Sequence, residues 1–215
     1  MGKIFFGSDF HFGHQNILIY CSRPYRDLEE MHLAIVSIWN NTVTPEDTVY
    51  VLGDFSLNPK WAELMLPQMN GTKILIPGNH DACFNWFNRS YTKKMNVNQR
   101  YKNAGFSEIY QTHELRLKDG TFVRLSHLPY SSEEGNEFDS RYNEYRLKDQ
   151  GGYLCHGHLH GRYRKYNNMI DVGFDGDLKL WSEDEIIGLM NDPRDFISTP
   201  ITKLLADRKD QREAT

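Results

Sequence analysis

Lys3-Ile4-Phe5-Phe6-Gly7-Ser8-Asp9-Phe10-His11 is a short apolar run that ends at an acid and a histidine. The apolar run predicts a buried strand over residues 3–8, because strands covered on both faces are short continuous apolar segments. Asp9 and His11 stand where this strand ends. The backbone beyond a strand no longer sends alternate side chains to opposite faces, so both groups can reach one point.

Two later stretches repeat this design. Residues 48–52 form an apolar run that ends at Gly53-Asp54, and residues 73–76 lead into Pro77-Gly78-Asn79-His80-Asp81. Glycine at such a turn lets the backbone approach closely. These runs predict a second and a third strand, each followed by polar side chains.

Helices are predicted between the strands. Residues 28–40 carry apolar side chains at helical spacing behind Asp27-Leu28-Glu29-Glu30, which resembles a capping box. Asn58-Pro59 can start another helix, which Pro67 limits. This alternation predicts a parallel, doubly wound half whose functional loops gather at the carboxyl ends of the strands.

The second half of the chain changes character. Residues 115–118 and 121–125 form a predicted hairpin around Asp119-Gly120, residues 153–155 and 169–172 read as further strands, and Ser182-Glu183-Asp184-Glu185 is a second capping box. His156, His158 and His160 follow at alternate positions. His158 and His160 can bind two different ions if the strand ends near His156, which is more readily structural.

Each of these motifs has an ordinary structural explanation when taken alone. Asp-x-His is common in polar loops that cap helices, Gly-Asp often only turns the chain, and a turn explains Asn79-His80 equally well. Together the motifs offer carboxylate, amide and imidazole groups, which suit divalent manganese, iron, zinc or nickel. A pair of such ions can activate water against a phosphate ester, so the joint set predicts a two-metal hydrolytic site.

Composition excludes several other classes of protein. The chain has 215 residues and a formal net charge of −4, which argues against a general polyanion binder. Its start meets an acid too early for a secretory signal, and no apolar stretch is long enough to span a bilayer, so a cytoplasmic protein without a membrane partner is expected. Three widely spaced cysteines without a CxxC predict reduced thiols that serve neither a disulfide nor a zinc site.

Taken in order, the motifs resemble the calcineurin-like metallophosphoesterase superfamily. Its pattern of Asp-x-His, Gly-Asp, Gly-Asn-His-Asp, a lone His and Gly-His-x-His is matched across residues 4–187, and residues 9–17 and 130–145 resemble its small bacterial and phage members. The resemblance implies a four-layer α-β-β-α sandwich, with two mixed β-sheets packed face to face and flanked by helices. It implies one such domain over residues 1–206, followed by a polar C-terminal tail over 207–215.

The resemblance also implies the roles of the site residues. Asp9, His11 and His160 would hold one divalent ion, Asn79, His127 and His158 would hold the other, and Asp54 would bridge them. Manganese is the first expectation, with iron, zinc, nickel or cobalt as alternatives. A hydroxide shared by the ions would attack phosphorus in line, while His80 would act as acid at the leaving oxygen and Asp81 would orient it.

The resemblance leaves the substrate open. A phosphodiester is favoured over a small phosphomonoester, and nucleotide-like substrates are slightly favoured over others. A nuclease or a non-catalytic metal-binding scaffold is a further alternative. A phosphoprotein phosphatase is not expected, because Phe55 to Asn58 replace the acid and arginine that follow Gly-Asp in that branch. The partner is therefore expected to be a small phosphate ester, and stable binding of nucleic acid is not.

Three residues outside the ligand set are expected to bind substrate. His14 is expected to touch the substrate phosphate or to support a ligand, and the guanidinium groups of Arg23 and Arg141 are expected to grip phosphate oxygens. Aromatic and basic residues over positions 84–104 fit either a groove that stacks a base or an amphipathic helix with its aromatic face in the core. The helix is the favoured interpretation.

Overall fold

A computed structural model describes residues 2–84, 91–130 and 142–197 of the chain. The predicted polar tail over 207–215 lies outside these residues, as does Arg141. Within the described part of the chain, no helix has the length and apolar character needed to cross a membrane.

The first sheet has five strands in the order β10-β1-β2-β3-β4. The strands β1 to β4 are parallel to their neighbours, and β10 runs antiparallel to β1 at one edge. The predicted strands at residues 3–8, 48–52 and 73–76 are therefore confirmed, and they lie side by side. Their bounds are β1 (Ile4–Gly7), β2 (Thr48–Val51), β3 (Thr72–Leu75), β4 (Phe106–Ile109) and β10 (Trp181–Ser182).

The second sheet has six strands in the order β11-β8-β9-β7-β6-β5. Its centre is parallel, through the pairs β6 with β7 and β7 with β9, and the predicted hairpin is the antiparallel pair of β5 and β6. Both sheets are thus mixed. The bounds are β5 (His113–Arg116), β6 (Phe122–Leu125), β7 (Tyr153–His156), β8 (Tyr163–Tyr166), β9 (Met169–Asp171) and β11 (Phe196–Ile197).

The helices begin where the sequence places caps. Asp27 accepts a hydrogen bond from the Glu30 amide at the start of α2, and Ser182 and Glu185 form the complete capping box of α6. In the first of these boxes, Glu30 turns its carboxylate to Arg26 instead of closing the box on Asp27. The bounds are α1 (Ile17–Tyr20), α2 (Leu28–Thr42), α3 (Pro59–Met65), α4 (Tyr91–Ala104), α5 (Phe174–Asp177) and α6 (Glu183–Asn191).

The two sheets pack face to face. Phe6 of β1 and Leu52, which follows β2, pack in one core with Leu125 and Ile170 of the second sheet. The predicted α/β sandwich of two mixed sheets with flanking helices is confirmed. The opposite face of the first sheet packs against α2, α3 and α4 around Trp39. That arrangement corrects the expectation of a doubly wound half, because right-handed crossovers between strands in sequential order place their helices on one face.

The packing of the sheets brings their functional edges together. Gly7, Val51 and Leu75, the last residues of β1, β2 and β3, lie side by side in register. A parallel bridge joins Ser8 to Gly173, just beyond β9 of the second sheet. The carboxyl ends of parallel strands from both sheets therefore open onto the same space.

Candidate metal centre

The loops after β1 and β2 continue the register of their strands. The Asp9 amide donates to the Gly53 carbonyl at 3.0 Å, and the His11 amide donates to the Asp54 carbonyl at 2.9 Å. Asp9, His11 and Asp54 are all almost completely buried. These hydrogen bonds hold the first acid-and-histidine pair beside the second acid.

Five of the seven predicted ligands have a left-handed backbone. Their φ angles are 60° at Asp9, 55° at His11, 50° at Asp54, 71° at His158 and 54° at His160. A residue with a β-carbon adopts this conformation at a cost of roughly 1–3 kcal/mol, and such residues concentrate at functional sites. The surrounding hydrogen bonds thus hold side chains in directions that a relaxed loop would not select.

The side chains of Asp9, His11, Asp54, His127 and His160 converge. One ligand atom each of Asp9, His11 and His160 lie within 4.8 Å of one another, and the same holds for Asp9, Asp54 and His127. Asp54 Oδ2 lies 3.6 Å from His11 Nε2 and 3.4 Å from His127 Nε2. Asp54 therefore lies between His11 and His127.

Asn79 and His158 complete the set. Asn79 Oδ1 lies 3.1 Å from His127 Nε2, and the His127 and His158 rings are 5.3 Å apart. The His158 amide donates to both carboxylate oxygens of Asp9 at 3.1 Å. All seven predicted ligands thus lie in one cluster, to which both sheets contribute.

Two further histidines line the cluster. The His11 ring lies 5.2 Å from those of His14 and His80, and the exposed His80 is fixed through its amide, which donates to Asp54 Oδ1 at 2.8 Å. His14 Nδ1 lies 3.2 Å from His11 Nδ1, and its ring is 5.7 Å from that of His80. Both are placed where a molecule bound at the cluster would contact them.

The carboxylates and imidazoles of the cluster shift one another's pKa values. Burial raises the pKa of Asp9. Burial also acts to raise the pKa of Asp54, but the attraction of His127 and His11 outweighs it and leaves that pKa well below the usual range. For His127 the same attraction overcomes burial and raises the pKa to about 9, whereas burial holds the pKa of His11 well below normal. Each of these shifts therefore reflects a balance between burial and the opposite charges within the cluster.

The residues of the cluster fit divalent cations. Among the described residues, the buried His11 Nε2 has no hydrogen-bond partner, although a buried ring nitrogen normally has one. Two buried carboxylates face it, and imidazole, carboxylate and amide oxygen are ligands that first-row divalent ions accept. A cation would satisfy the unpartnered nitrogen and the crowded carboxylates together.

Two glycines keep the cluster compact. A β-carbon added to Gly78 would lie 2.2 Å from Asp54 Oδ1, and one added to Gly157 would lie 1.8 Å from Ser8 Oγ. No side chain is accommodated at such distances. The glycines in the Gly-Asn-His and Gly-His-x-His motifs are thus required by close approach to the Asp54 carboxylate and to the Ser8 hydroxyl.

Arg23 does not face the site as expected. The residue is 4% exposed, and its guanidinium donates to both carboxylate oxygens of Asp175 and to the carbonyls of Asp9 and Phe10. The expectation that Arg23 grips substrate phosphate is corrected on this geometry, because its donors are committed inside the protein. Arg141, assigned the same role, lies outside the described residues.

Asp81 also differs from expectation. Its Oδ1 accepts from the amides of Phe55 and Ser56 at 3.1 and 3.2 Å, and its Oδ2 accepts from the Gly78 amide at 2.9 Å. Burial, followed by repulsion from Asp54, raises its pKa to about 7. Asp81 thus joins the loops after β2 and β3 through their backbone amides and leaves the His80 imidazole to other contacts.

The sequence interpretation missed three residues beside the cluster. Asp175 Oδ2 lies 2.7 Å from His160 Nδ1, and Cys21, expected to be a bystander, places Sγ 3.3 Å from the same nitrogen. Asp171 accepts from the Gly161 and Gly173 amides at 2.7 Å and so holds the turn after His160. The available signal was an acid at a strand end, since Asp171 ends β9 and Asp175 follows it closely.

Residues 84–104 fit the helical interpretation in part. Tyr101 of α4 is fully buried, and its hydroxyl lies 3.3 Å from the Ala82 amide, which donates to it. Arg100 pairs with Glu63 and Lys102 pairs with Glu108, each at 2.8 Å. Residues 85–90, with Trp86 and Phe87, lie outside the described residues. An aromatic residue therefore faces the core, and two of the basic side chains are occupied by acids.

His156 has the structural position that the sequence favours for it over a role as a metal ligand. It lies within β7, buried, with Nδ1 2.7 Å from the Gly157 carbonyl oxygen, and burial lowers its pKa to about 4. An imidazole that stays neutral can donate a hydrogen bond to this carbonyl. His156 therefore supports the loop that carries His158 and His160.

Comparison with known proteins agrees with this geometry. Residues 2–185 match the model of the family described as calcineurin-like phosphoesterase. Gene 66 protein of Mycobacterium phage L5 is 30% identical over 89% of this chain and 95% of its own length, and Gene 66 protein of phage D29 is 32% identical over 89% and 98%.

Two other similarities are shorter or more distant. An uncharacterised protein of Methanocaldococcus jannaschii is 45% identical over 38% of this chain, a match that covers 48% of that protein. The crystal structure of an Aquifex aeolicus protein of unknown function superposes with a TM-score of 0.61 at 24% identity, over 88% of this chain and all of that one. That superposition supports the fold alone.

Proposed function

The chain belongs to the calcineurin-like phosphoesterase family, and from that membership we propose that it is a two-metal enzyme which hydrolyses a phosphodiester. Metal-dependent hydrolysis of phosphate esters follows from the family. Two bound ions and the preference for a diester are the proposal. The observation that carries it is the convergence of Asp9, His11, Asp54, His127 and His160, with Asn79 and His158 beside His127, in one cluster.

The contacts support a division of ligands between two ions. Asp9, His11 and His160 would hold one ion, and Asn79, His127 and His158 would hold the other. Asp54 would bridge them, because its Oδ2 already lies between His11 Nε2 and His127 Nε2. Manganese is the proposed metal, since a set of carboxylate, amide and imidazole groups without thiolate suits it.

Ions in this site would polarise the phosphoryl oxygens and lower the pKa of water toward neutrality. The protein's own groups would arrange the substrate around them. His80 lies at the exposed edge, its ring 5.2 Å from that of His11, and can deliver a proton to the leaving oxygen. His14 lies between His80 and the exposed Tyr20 and can donate a hydrogen bond to a non-bridging oxygen.

A diester is favoured over a monoester for two reasons. The first is that both residues of the Asp-x-His motif, Asp9 and His11, are present in the cluster. An aromatic ring lies on each side of the cluster, with Tyr20 6.1 Å from His14 and Tyr142 6.0 Å from His158. These rings favour an ester group that carries a flat base, as in a nucleotide. A small phosphate monoester is the alternative substrate.

The substrate class is tested with two chromogenic esters. The protein loaded with manganese should release nitrophenolate faster from bis-p-nitrophenyl phosphate than from p-nitrophenyl phosphate. A strong preference for the monoester would contradict the diesterase proposal and support the alternative. A screen of cyclic mononucleotides, cyclic dinucleotides and RNA ends would then identify the natural class.

The role of His80 is tested by substitution. His80→Ala should lower kcat by roughly 10²- to 10⁴-fold, the usual contribution of a general acid, with manganese still bound. The matched control is His113→Ala in β5 of the second sheet, which removes an imidazole that stacks on Tyr110. Unchanged kcat in His80→Ala would exclude an acid role, and the absence of any metal-dependent activity in the wild type would favour a binding scaffold.

A further inference from the structure

A buried ion pair stands behind one of the proposed ligands. Asp175, 5% exposed on α5, accepts from Arg23 Nε at 2.6 Å and from Arg23 Nη2 at 2.9 Å. The same carboxylate lies 2.7 Å from His160 Nδ1. A chain of contacts therefore runs from a buried guanidinium through a carboxylate to an imidazole of the cluster.

The contact with Asp175 selects the nitrogen that His160 offers to an ion. A carboxylate accepts hydrogen bonds, so Nδ1 carries the proton and donates a hydrogen bond to Asp175. Nε2 is then the nitrogen left to bind an ion, and His160 forms a close group with Asp9 and His11. Carboxylates that orient a ligating histidine in this way raise metal affinity without touching the metal.

Arg23 extends this support to the other side of the same group. Its Nη2 donates to the Asp9 carbonyl at 2.5 Å and its Nη1 donates to the Phe10 carbonyl at 2.8 Å. Asp9 follows β1 of the first sheet, and His160 follows β7 of the second. One guanidinium–carboxylate pair therefore ties together two ligands that reach the site from different sheets.

Resting on the ligand assignment of the proposed function, we propose that Asp175 and Arg23 are positioning residues for the ion held by Asp9, His11 and His160. They set the orientation of His160 and its distance from Asp9. The hydrogen bonds of this pair reach the backbone of Asp9 and the imidazole of His160, both proposed as ligands of that ion. Loss of the pair should therefore weaken one ion and spare the other.

The test is manganese binding by calorimetry and metal analysis, combined with the electron paramagnetic resonance spectrum. Wild type should bind two ions and show a coupled-pair spectrum. Asp175→Asn should keep one ion at wild-type affinity, lose roughly 10- to 100-fold in affinity for the other, and show the six-line spectrum of isolated manganese at limiting metal. The amide leaves Arg23 without its anion, so the double variant Arg23→Gln with Asp175→Asn gives a neutral pair for the same measurement.

Two control variants make the result specific. Asp177→Asn removes a second arginine–aspartate pair from α5, with Arg164 at 2.7 Å, and should leave both affinities unchanged. Cys21→Ala should also leave two ions bound, although Cys21, His160 and Asp175 lie close enough to form a metal site of their own. Loss of an ion in Cys21→Ala would overturn the positioning role.

The outcomes separate this inference from the proposed function. Wild type that binds two ions, together with Asp175→Asn and the double variant that bind both equally well, would overturn the inference and leave the proposed function intact. Wild type that binds no ion pair would overturn the proposed function itself. An equal loss at both ions would also contradict a role confined to one site.

Discussion

Gly78 shows how little free space the candidate site contains. An added β-carbon would lie 2.2 Å from Asp54 Oδ1 and 2.4 Å from the Asp54 amide nitrogen. The second of these atoms belongs to the backbone and cannot rotate away. A single methyl group added at residue 78 would therefore displace the carboxylate that is proposed to bridge the ions.

Gly78→Ala should lower the free energy of unfolding by about 1 to 3 kcal/mol through overpacking. It should also lower kcat, because the added methyl group displaces the Asp54 carboxylate. The matched control is Gly188→Ala in α6, where an added β-carbon meets no atom within 4 Å. Because Gly188 is an exposed residue within a helix, its replacement by alanine should instead stabilise the protein by about 0.5 to 1 kcal/mol. Urea unfolding and the diester assay measure both; equal stability of the two variants would contradict the packing argument.

Helix α2 is tied to the first site loop through His32. The imidazole is 7% exposed, its Nε2 accepts from the Gly13 amide at 3.0 Å, and its ring lies 4.9 Å from that of Trp61 in α3. Burial, with a smaller contribution from the charge of Arg23, lowers its pKa to about 4. Only the neutral ring can accept this hydrogen bond, so the contact between helix and loop depends on pH.

The sign of the pH effect follows from the two pKa values. The folded protein keeps His32 neutral down to about pH 4, whereas the unfolded chain binds a proton below about pH 6.5. The contribution of His32 to the free energy of unfolding is therefore fully present above pH 6.5 and is lost as the pH falls toward 4. The loss is on the order of 1 kcal/mol between pH 7 and 5. His32→Gln keeps an acceptor that does not titrate, so urea unfolding at both pH values should show a smaller loss. An identical loss in the two proteins would exclude His32 as the cause.

The whole molecule is organised around ligands from two sheets. Asp9, Asp54 and Asn79 follow strands of the first sheet, and His127 and His158 follow strands of the second. Ions bound between them would link the two layers of the sandwich. Metal binding should therefore stabilise the fold as a whole, because the ligands are assembled only in the folded state.

Removal of metal with a chelator should lower the Tm, and manganese at 100 times its Kd should restore about 2.7 kcal/mol per site. Asp54→Ala removes the proposed bridge and should lose most of this stabilisation. Differential scanning calorimetry with and without manganese measures the change. An equal increase of Tm in wild type and in Asp54→Ala would place the stabilising ions elsewhere on the protein.

Local features of the sequence determined much of this protein. Short apolar runs determined the strands β1, β2 and β3, caps at Asp27 and Ser182 determined where two helices begin, and the ordered motifs determined the family. Each of the seven predicted ligands follows the carboxyl end of a strand, and within each sheet such ends of neighbouring parallel strands meet at one edge. These features depend on residues close together in the chain, which local patterns describe.

Only the tertiary structure decided which residues support the ligands. Arg23 and Asp175 lie 152 positions apart, yet they share a buried hydrogen bond that turns Arg23 away from substrate. The turning of Asp81 toward the amides of Phe55, Ser56 and Gly78 likewise depends on the packing of two separate loops, and the placement of α2 to α4 on one face follows from the order of the strands in the sheet. Contacts of this kind arise from packing between distant segments, and local periodicity and spacing carry no record of them.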